Sequence, residues 1–306
     1  MPTDASLLES NNSLQSYLRS LKALRRTPET VRNNLHILGQ FIEFTARQGI
    51  EAPFEVQRST LTDYLVWMHE RHAAHTVRVR YTVVRSWFRW LEAEGDIDVN
   101  PCHGVPLPNA EQVQKDVVTA DDMGRVFQYL EQQKRWRDLA MLAILYDTGM
   151  RVGELVGLRR QDLSLDTGLV TIVRTTTKTV AGARVVRLSP AAVRHVDRYF
   201  RRRKDAFPWV VVGHKGALTR TGAYEIVRAA FEKAGVPGTI GPHDIRHTSA
   251  SHVAGLLSES EMMALFGWKD SNMARYYAHE AMRKAALVAH EKASPMERLG
   301  RKPDNR

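Results

Sequence analysis

Apolar residues recur at three- and four-residue spacing through the first hundred positions of the chain. This spacing places side chains on one face of a helix and predicts a series of amphipathic helices. Thr27 followed by Pro28 marks one helix start, because threonine caps helices and proline fits their first position. The predicted helices begin near Leu14, at Pro28, at Ser59 and near His75. Joined by short loops, these four helices form a compact bundle.

Three prolines within residues 100–108 interrupt this pattern. Proline lacks the backbone N–H that a helix needs, so the stretch suits an extended linker between two domains. Thr119 then precedes a pair of aspartates and predicts the capped start of a new helix. The predicted order is a disordered segment 1–10, a helical domain 11–100, a linker 101–116, a second domain 117–290 and a tail 291–306.

The second half of the chain changes character near residue 169. Residues 169–173 and 184–188 are short β-rich runs on either side of a turn, and residues 209–212 predict a third strand. Helical patterns resume at Thr219 and continue, with breaks, to about Lys292. The predicted fold is therefore mainly α, with a small antiparallel β-sheet in the second domain.

Composition narrows the class of protein. The 306 residues suffice for two domains, and no apolar run reaches the length of a membrane span. The first residues lack the basic and apolar regions of a secretory signal. Cys102 is the only cysteine, which excludes an intramolecular disulfide and a cysteine-rich zinc site and fits a reducing, cytoplasmic location. The net charge of +10 is typical of proteins that bind phosphate backbones, although charge alone is weak evidence.

The fourth predicted helix carries a second, basic face. Arg78, Arg85 and Arg89 recur at helical spacing on a side that the apolar residues leave open. A basic helix face is commonly exposed to solvent without binding anything, and from this helix alone that interpretation is favoured. The functional alternative is a helix laid along DNA, with its arginines on phosphates or base edges.

The second domain contains an ordered set of residues suited to phosphodiester chemistry. Arg151 follows a Thr-Gly helix break, and Lys178 lies in the turn between the two β-rich runs, with Arg174 and Arg184 as nearby cations. Each has an ordinary structural explanation, such as an ion pair between Arg151 and Glu154. Two arginines, a lysine, a histidine and a tyrosine can nevertheless bind phosphate oxygens, protonate a leaving oxygen and supply a nucleophile. The remaining candidates are His243, Arg246 and Tyr277.

In order, spacing and local context, these segments resemble the tyrosine recombinase (phage integrase) family. The resemblance rests on Thr-Gly-x-Arg-x-x-Glu-Leu at 148–155, Thr-Lys-Thr at 177–179 and His-x-x-Arg-His at 243–247. It implies that Arg151 and Arg246 clamp the phosphate, Lys178 protonates the 5′ oxygen and His243 takes or relays the nucleophile's proton. Glu154 and His247 are implied to support and orient the site.

The chain departs from the family pattern at Trp268. Most relatives place histidine after Leu-Gly, whereas this chain reads Phe-Gly-Trp at 266–268. Tryptophan cannot shuttle protons, but its indole N–H can donate to a phosphate oxygen. Tyr277 is favoured over Tyr276 as the nucleophile because it stands nine residues after Trp268 and is followed by Ala278 and His279.

The resemblance also implies a fold, a reaction and partners. It implies a SAM-like four-helix core-binding domain, a helical catalytic domain, a 3′-phosphotyrosyl intermediate and no cofactor or metal. The expected partners are double-stranded core sites and three further protomers in a Holliday-junction complex, with the tail on a neighbour and an accessory DNA-bending protein left open. A simple phage or mobile-element integrase without an arm-binding domain, in a bacterial cytoplasm, is expected. A type IB topoisomerase and a non-catalytic DNA-binding relative remain as alternatives.

Overall fold

The computed structural model describes residues 4–109, 117–173 and 183–296. The chain falls into two compact units, Met1–Lys115 and Asp116–Arg306. The described residues form twelve α-helices and four short strands, which confirms the prediction of a mainly α fold with small antiparallel pairing. None of the helices in this part of the chain is long and apolar enough to cross a membrane.

Four helices make up the first unit. They are α1 (Asp4–Ala23), α2 (Pro28–Ala46), α3 (Arg58–His69) and α4 (Ala74–Glu94). The Thr27 hydroxyl accepts the Thr30 N–H at 3.2 Å, as the cap signal predicts. The helix α1 begins at Asp4, within the segment 1–10 for which the sequence predicts disorder. No glycine or proline interrupts residues 4–10, so their sequence is compatible with a helix.

Aromatic side chains fill the centre of this four-helix unit. The Phe41 ring lies edge-on to Tyr64, with 4.9 Å between centroids, and edge-on to Phe88 at 5.8 Å. All three residues are at most 1% exposed. Edge-to-face pairs of this kind add about 0.5–1.5 kcal/mol each beyond the burial of their area. The apolar stripes predicted from the sequence therefore meet in one core.

The proline-rich stretch is not a free linker along its whole length. Cys102 and Val105 are buried in the core of the first unit. The guanidinium groups of Arg58 and Arg78 donate to the carbonyl oxygens of Gly104 and Pro108 respectively. The predicted start of the linker at residue 101 is therefore too early, because two apolar side chains and two arginines bind this stretch to the helices. Residues 110–116 lie outside the described part.

Eight helices make up most of the second unit. They are α5 (Ala120–Gln132), α6 (Trp136–Thr148), α7 (Val152–Gly157), α8 (Pro190–Phe200), α9 (Arg220–Lys233), α10 (Pro242–Val253), α11 (Glu259–Phe266) and α12 (Asn272–Ala293). All residues from 139 to 145 in α6 are at most 4% exposed. A helix that is apolar on all sides belongs in the interior, and α6 packs against α5, α8 and α10.

Two small sheets replace the single predicted one. Strand β1 (Leu169–Ile172) pairs antiparallel with β2 (Arg184–Arg187), and β3 (Val212–Gly213) pairs with β4 (Gly216–Ala217). The predicted strand 209–212 is wrong in extent, because only Val212 of it belongs to β3. The residues before it bind the loop after α7 instead, with the Val210 N–H donating to the Leu158 carbonyl at 2.8 Å.

The cap of α2 can be tested by mutation. We expect Thr27→Ala to lower the free energy of unfolding by about 1 kcal/mol, because the Thr30 N–H loses its acceptor. Chemical denaturation followed by circular dichroism measures this. Thr82→Ala is the control, since Thr82 lies within α4 and only bonds back to Arg78. We expect that variant to stay within about 0.5 kcal/mol of the parent, and equal losses in both would contradict the capping role.

Candidate active site

The candidate site starts at the C-terminal end of α6. The chain leaves α6 through Gly149, whose φ of +56° is the left-handed conformation that glycine tolerates. A Cβ at this position would collide with the ring of Phe266, so only glycine lets the two segments pack. The turn places Arg151 at the start of α7 and leaves the Gly149 carbonyl facing Arg246, which donates to it.

A buried carboxylate organises the arginines of the site. Glu154 accepts the Arg151 backbone N–H at 2.9 Å and the Arg151 guanidinium at 3.2 Å. Arg184 donates to both carboxylate oxygens, at 3.1 and 2.8 Å. Burial raises the pKa of Glu154, but the hydrogen bonds and charges of Arg184 and Arg151 outweigh it and leave the pKa below its ordinary value. Glu154 is therefore an ionised, doubly paired anchor.

Arg184 has a structural role that the sequence did not reveal, since the sequence marked it only as a cation near Lys178. It is the first residue of β2, and its Nε donates to the Leu265 carbonyl at the end of α11, at 3.0 Å. Its guanidinium also packs on Gly267, where an added Cβ would lie 2.9 Å from a guanidinium nitrogen of Arg184. Arg184 thus joins the strand after the hairpin to α7 and α11. Its partners lie 30 and 81 residues away, so no local pattern reveals them.

The second arginine of the predicted pair is buried. Arg246, on α10, is 6% exposed and donates to the Phe266 carbonyl at 2.7 Å. Burial, together with the nearby charge of Arg151, lowers the pKa of Arg246 to about 10, which still leaves it cationic at neutral pH. Its guanidinium lies 5.3 and 5.9 Å from the ring centroids of Phe266 and Trp268. These contacts hold the cation without neutralising it.

The site carries excess positive charge. The ionisable groups acting on Arg246 are the cations Arg151 and Arg184, the carboxylate of Glu154 and the phenol of Tyr277. Three guanidinium groups therefore share one carboxylate within this set of described residues. Arg151 keeps 45% of its side chain exposed, so it can reach a ligand from solvent. Such an arrangement favours an anion with several oxygens, as a phosphate has.

Tyr277 lies at the edge of this cationic cluster. It is 6% exposed on α12, and its hydroxyl lies 2.8 Å from Nδ1 of His247. Its ring stacks on Trp268, with centroids 5.5 Å apart and planes 5° apart, and Trp268 in turn stacks on Phe266. Burial raises the pKa of Tyr277 to about 12, although the charge of Arg246 opposes the shift. The phenol is therefore neutral in the free protein.

The remaining predicted residues are distributed as follows. His243 is exposed in the first turn of α10. The histidine hydrogen-bonded to Tyr277 is His247, which the sequence analysis predicted only to orient the site. Tyr276 is half-buried, with its ring edge-on to Tyr277 at 5.2 Å. Lys178 lies outside the described residues.

The predicted DNA-contacting arginines belong to the other unit, on α4. Arg89 is exposed and Arg85 is half-buried. Arg78 is partly occupied, because its guanidinium donates to the Pro108 carbonyl at 2.9 Å. Arg89 is therefore the most exposed of the three arginines, and the Arg78 guanidinium is bonded to the protein backbone.

Sequence comparison identifies relatives of this chain. The family model described as the phage integrase family matches residues 116–284, more than half of the chain. Tyrosine recombinase XerD of Listeria monocytogenes serotype 4b (strain F2365) is 26% identical over 286 residues. That similarity covers 88% of this chain and 94% of the relative.

Structure comparison finds the same architecture in solved proteins. The Tn1549 transposon integrase in complex with transposon right end DNA superposes with a TM-score of 0.74 and 17% identity, covering 92% of this chain and 98% of that one. A lambda integrase tetramer bound to a Holliday junction gives a TM-score of 0.68 and 19% identity, covering 86% and 78%. At these identities the likeness is one of fold.

The paired carboxylate can be tested through stability. We expect Glu154→Gln to cost about 3 kcal/mol at pH 7, because two guanidinium groups lose a buried counter-charge. The lowered pKa means that the native carboxylate stabilises the fold above the ordinary glutamate pKa and loses this effect as pH falls through its lowered value. The gap between the two proteins should therefore shrink on acidification, as measured by urea unfolding from pH 7 to pH 3. A gap independent of pH would contradict the ionised anchor.

Proposed function

The chain belongs to the phage integrase family, and from this membership we propose that it is a site-specific tyrosine recombinase that cleaves and rejoins DNA. One observation carries the assignment beyond the family match. A buried tyrosine hydroxyl, hydrogen-bonded to a histidine, adjoins a cluster of guanidinium groups with one carboxylate among them. A nucleophile, a base and an anion site are the parts that metal-independent phosphodiester transfer requires.

The guanidinium groups are assigned to the scissile phosphate. Arg246 is held by two carbonyl oxygens and carries its charge at neutral pH. Arg151 is oriented by Glu154 yet half-exposed, so it can close on a bound phosphate. Two preorganised cations stabilise the charge that develops on the phosphate oxygens in the transition state. Trp268, stacked on Tyr277, is assigned to packing the nucleophile and donating its indole N–H to an oxygen.

The proposed reaction is a pair of transesterifications. The Tyr277 oxygen forms a bond to phosphorus, the bond to the 5′ oxygen breaks, and a 3′-phosphotyrosyl link remains. Lys178 is assigned to protonating the departing 5′ oxygen, as the family resemblance implies. The 5′-hydroxyl of a partner duplex then attacks the link and releases Tyr277. Each step exchanges one phosphoester bond for another, so no nucleotide is consumed.

The first unit is assigned to holding the duplex. Arg85 and Arg89 on α4 remain the candidates for phosphate or base contacts, and Arg78 contributes mainly by fixing the segment that leads out of the unit. Guanidinium groups suit both kinds of contact. The Tn1549 integrase is described in complex with transposon right end DNA, which supports a mobile-element substrate by analogy of fold.

The assembly is proposed to be a tetramer of this chain on a Holliday junction. The similar lambda integrase is described as a tetramer bound to such a junction. In this chain the second half of α12 exposes apolar side chains, with Met282, Leu287 and Val288 between 55% and 69% exposed. We assign this segment, with the tail beyond it, to a neighbouring protomer. Integration or excision of a phage or mobile element, in a bacterial cytoplasm, is the proposed role.

The nucleophile is tested by covalent trapping. The protein is incubated with a nicked suicide substrate carrying its attachment site, and the protein–DNA adduct is mapped by mass spectrometry. We expect the adduct at Tyr277, lost in Tyr277→Phe and kept within about threefold in Tyr276→Phe. An adduct retained by the Tyr277→Phe protein would refute the assignment. Relaxation of supercoils without strand exchange would instead favour a topoisomerase, and specific binding without any adduct would favour a DNA-binding regulator.

The assembly surface is tested separately from the chemistry. We expect the double substitution Leu287→Ser, Val288→Ser to reduce tetramer formation on a synthetic Holliday junction at least tenfold, because an apolar contact with the neighbour is lost. Analytical ultracentrifugation measures the assembly. Lys284→Ser, on the same exposed segment, is the matched control and should assemble normally. Unchanged assembly of the double variant would place the interface elsewhere.

A further inference from the structure

The geometry points to His247, rather than His243, as the group that accepts the proton of the Tyr277 hydroxyl when that oxygen attacks phosphorus. This inference rests on the proposed function and names a further catalytic residue within it. Its basis is the direct contact between Nδ1 of His247 and the phenolic oxygen, at 2.8 Å. A general base must lie within hydrogen-bond distance of the proton that it removes.

The packing of α10 and α12 fixes this contact. The His247 ring lies 5.3 Å from the Tyr277 ring, with 49° between the planes, so the two side chains meet in a tilted arrangement. His247 is half-buried, one helical turn further along α10 than the exposed His243. The neighbouring Arg246 is anchored to two backbone carbonyls, which holds the same turn of α10 against α11. The turn of α10 that carries His247 is therefore held in place by these hydrogen bonds.

Among the described residues, the other side chains placed against Tyr277 cannot take its proton. Arg246 is a cation and has no basic lone pair at neutral pH. Trp268 can only donate through its indole N–H, and Tyr276 carries a phenol, which is a poor base at neutral pH. A neutral imidazole is the side chain suited to proton transfer near pH 7. Within the part of the chain that the structure describes, His247 is the histidine whose ring nitrogen contacts the phenol.

The proton balance of the step is complete. The proposed step uses the tautomer of His247 that carries its proton on Nε2 and a lone pair on Nδ1. The Tyr277 proton moves to Nδ1 as the oxygen–phosphorus bond forms, and the leaving 5′ oxygen takes a different proton from the general acid. During religation the deprotonated general acid takes the proton of the attacking 5′-hydroxyl, and His247 returns its proton to the released phenolate. Because burial raises the pKa of Tyr277 to about 12, free phenolate does not accumulate, so transfer has to accompany attack.

A sulfur-substituted substrate separates this role from the others. Single-turnover cleavage is measured on two nicked duplexes, one ordinary and one with sulfur in place of the bridging 5′ oxygen. A thiolate leaves without needing a proton. A variant that lacks the general acid therefore cleaves the sulfur substrate normally, whereas a variant that lacks the general base remains slow on it. His247→Asn keeps an acceptor near the position of Nδ1 but removes its basicity. We expect His247→Asn to lose at least about a hundredfold on both substrates, whereas Lys178→Ala recovers on sulfur.

Matched variants decide between this role and a structural one. His252→Asn changes another half-buried histidine of α10, one that bonds Tyr146 rather than Tyr277, and should stay within about threefold of the parent. His243→Asn should lose less than His247→Asn on both substrates. Thermal unfolding and DNA binding are recorded for each protein, and His247→Gln repeats the test if the Asn variant unfolds.

The inference is overturned by three results. The first is a cleavage rate of His247→Asn within about threefold of the parent. The second is a His247→Asn cleavage rate that the sulfur substrate restores. The third is a larger loss of cleavage rate in His243→Asn than in His247→Asn. Absence of any adduct with the parent protein on both substrates would refute the proposed function instead. The two failures are therefore distinguishable.

Discussion

The candidate site depends on one buried carboxylate with two guanidinium partners. Glu154 holds Arg151 at the start of α7 and Arg184 at the start of β2, and Arg184 reaches on to the end of α11. A buried carboxylate is costly unless its charge is matched and its oxygens are bonded, and both conditions are met here. Because these elements are joined through the same carboxylate and its partners, the position of each fixes the others.

The second constraint is the close approach of α6 and α11. Gly149 admits the Phe266 ring where any Cβ would collide with it, and the carbonyls of both residues then receive Arg246. The buried helix α6 thus ends at a point where backbone oxygens, rather than carboxylates, hold a cation. Such oxygens fix the guanidinium but leave its full charge for a ligand. This is how the fold can keep a strongly cationic site without neutralising it.

The proposed nucleophile, Tyr277, is held in a neutral form beside these cations. Tyr277 is covered by Trp268 and bonded to His247, and burial opposes its ionisation more strongly than Arg246 favours it. A phosphate entering the site would change this balance, because it would pair with the guanidinium groups and bring the reacting atom to the phenol. Reactivity would then follow from substrate binding, which protects the free protein from unwanted attack.

The sequence by itself determined the helical bundle, the capped helix starts at Thr27 and Thr119, and the family, because these depend on local spacing and short motifs. The sequence predicted the β1–β2 pairing but not the extent of β3, which begins at Val212. The residues just before Val212 bind the loop after α7 instead. Only the tertiary structure decided that Arg184 anchors Glu154 and that His247, not His243, meets Tyr277. Both contacts join residues 30 positions apart. Contacts at such separation depend on how whole helices pack, and local periodicity carries no record of that.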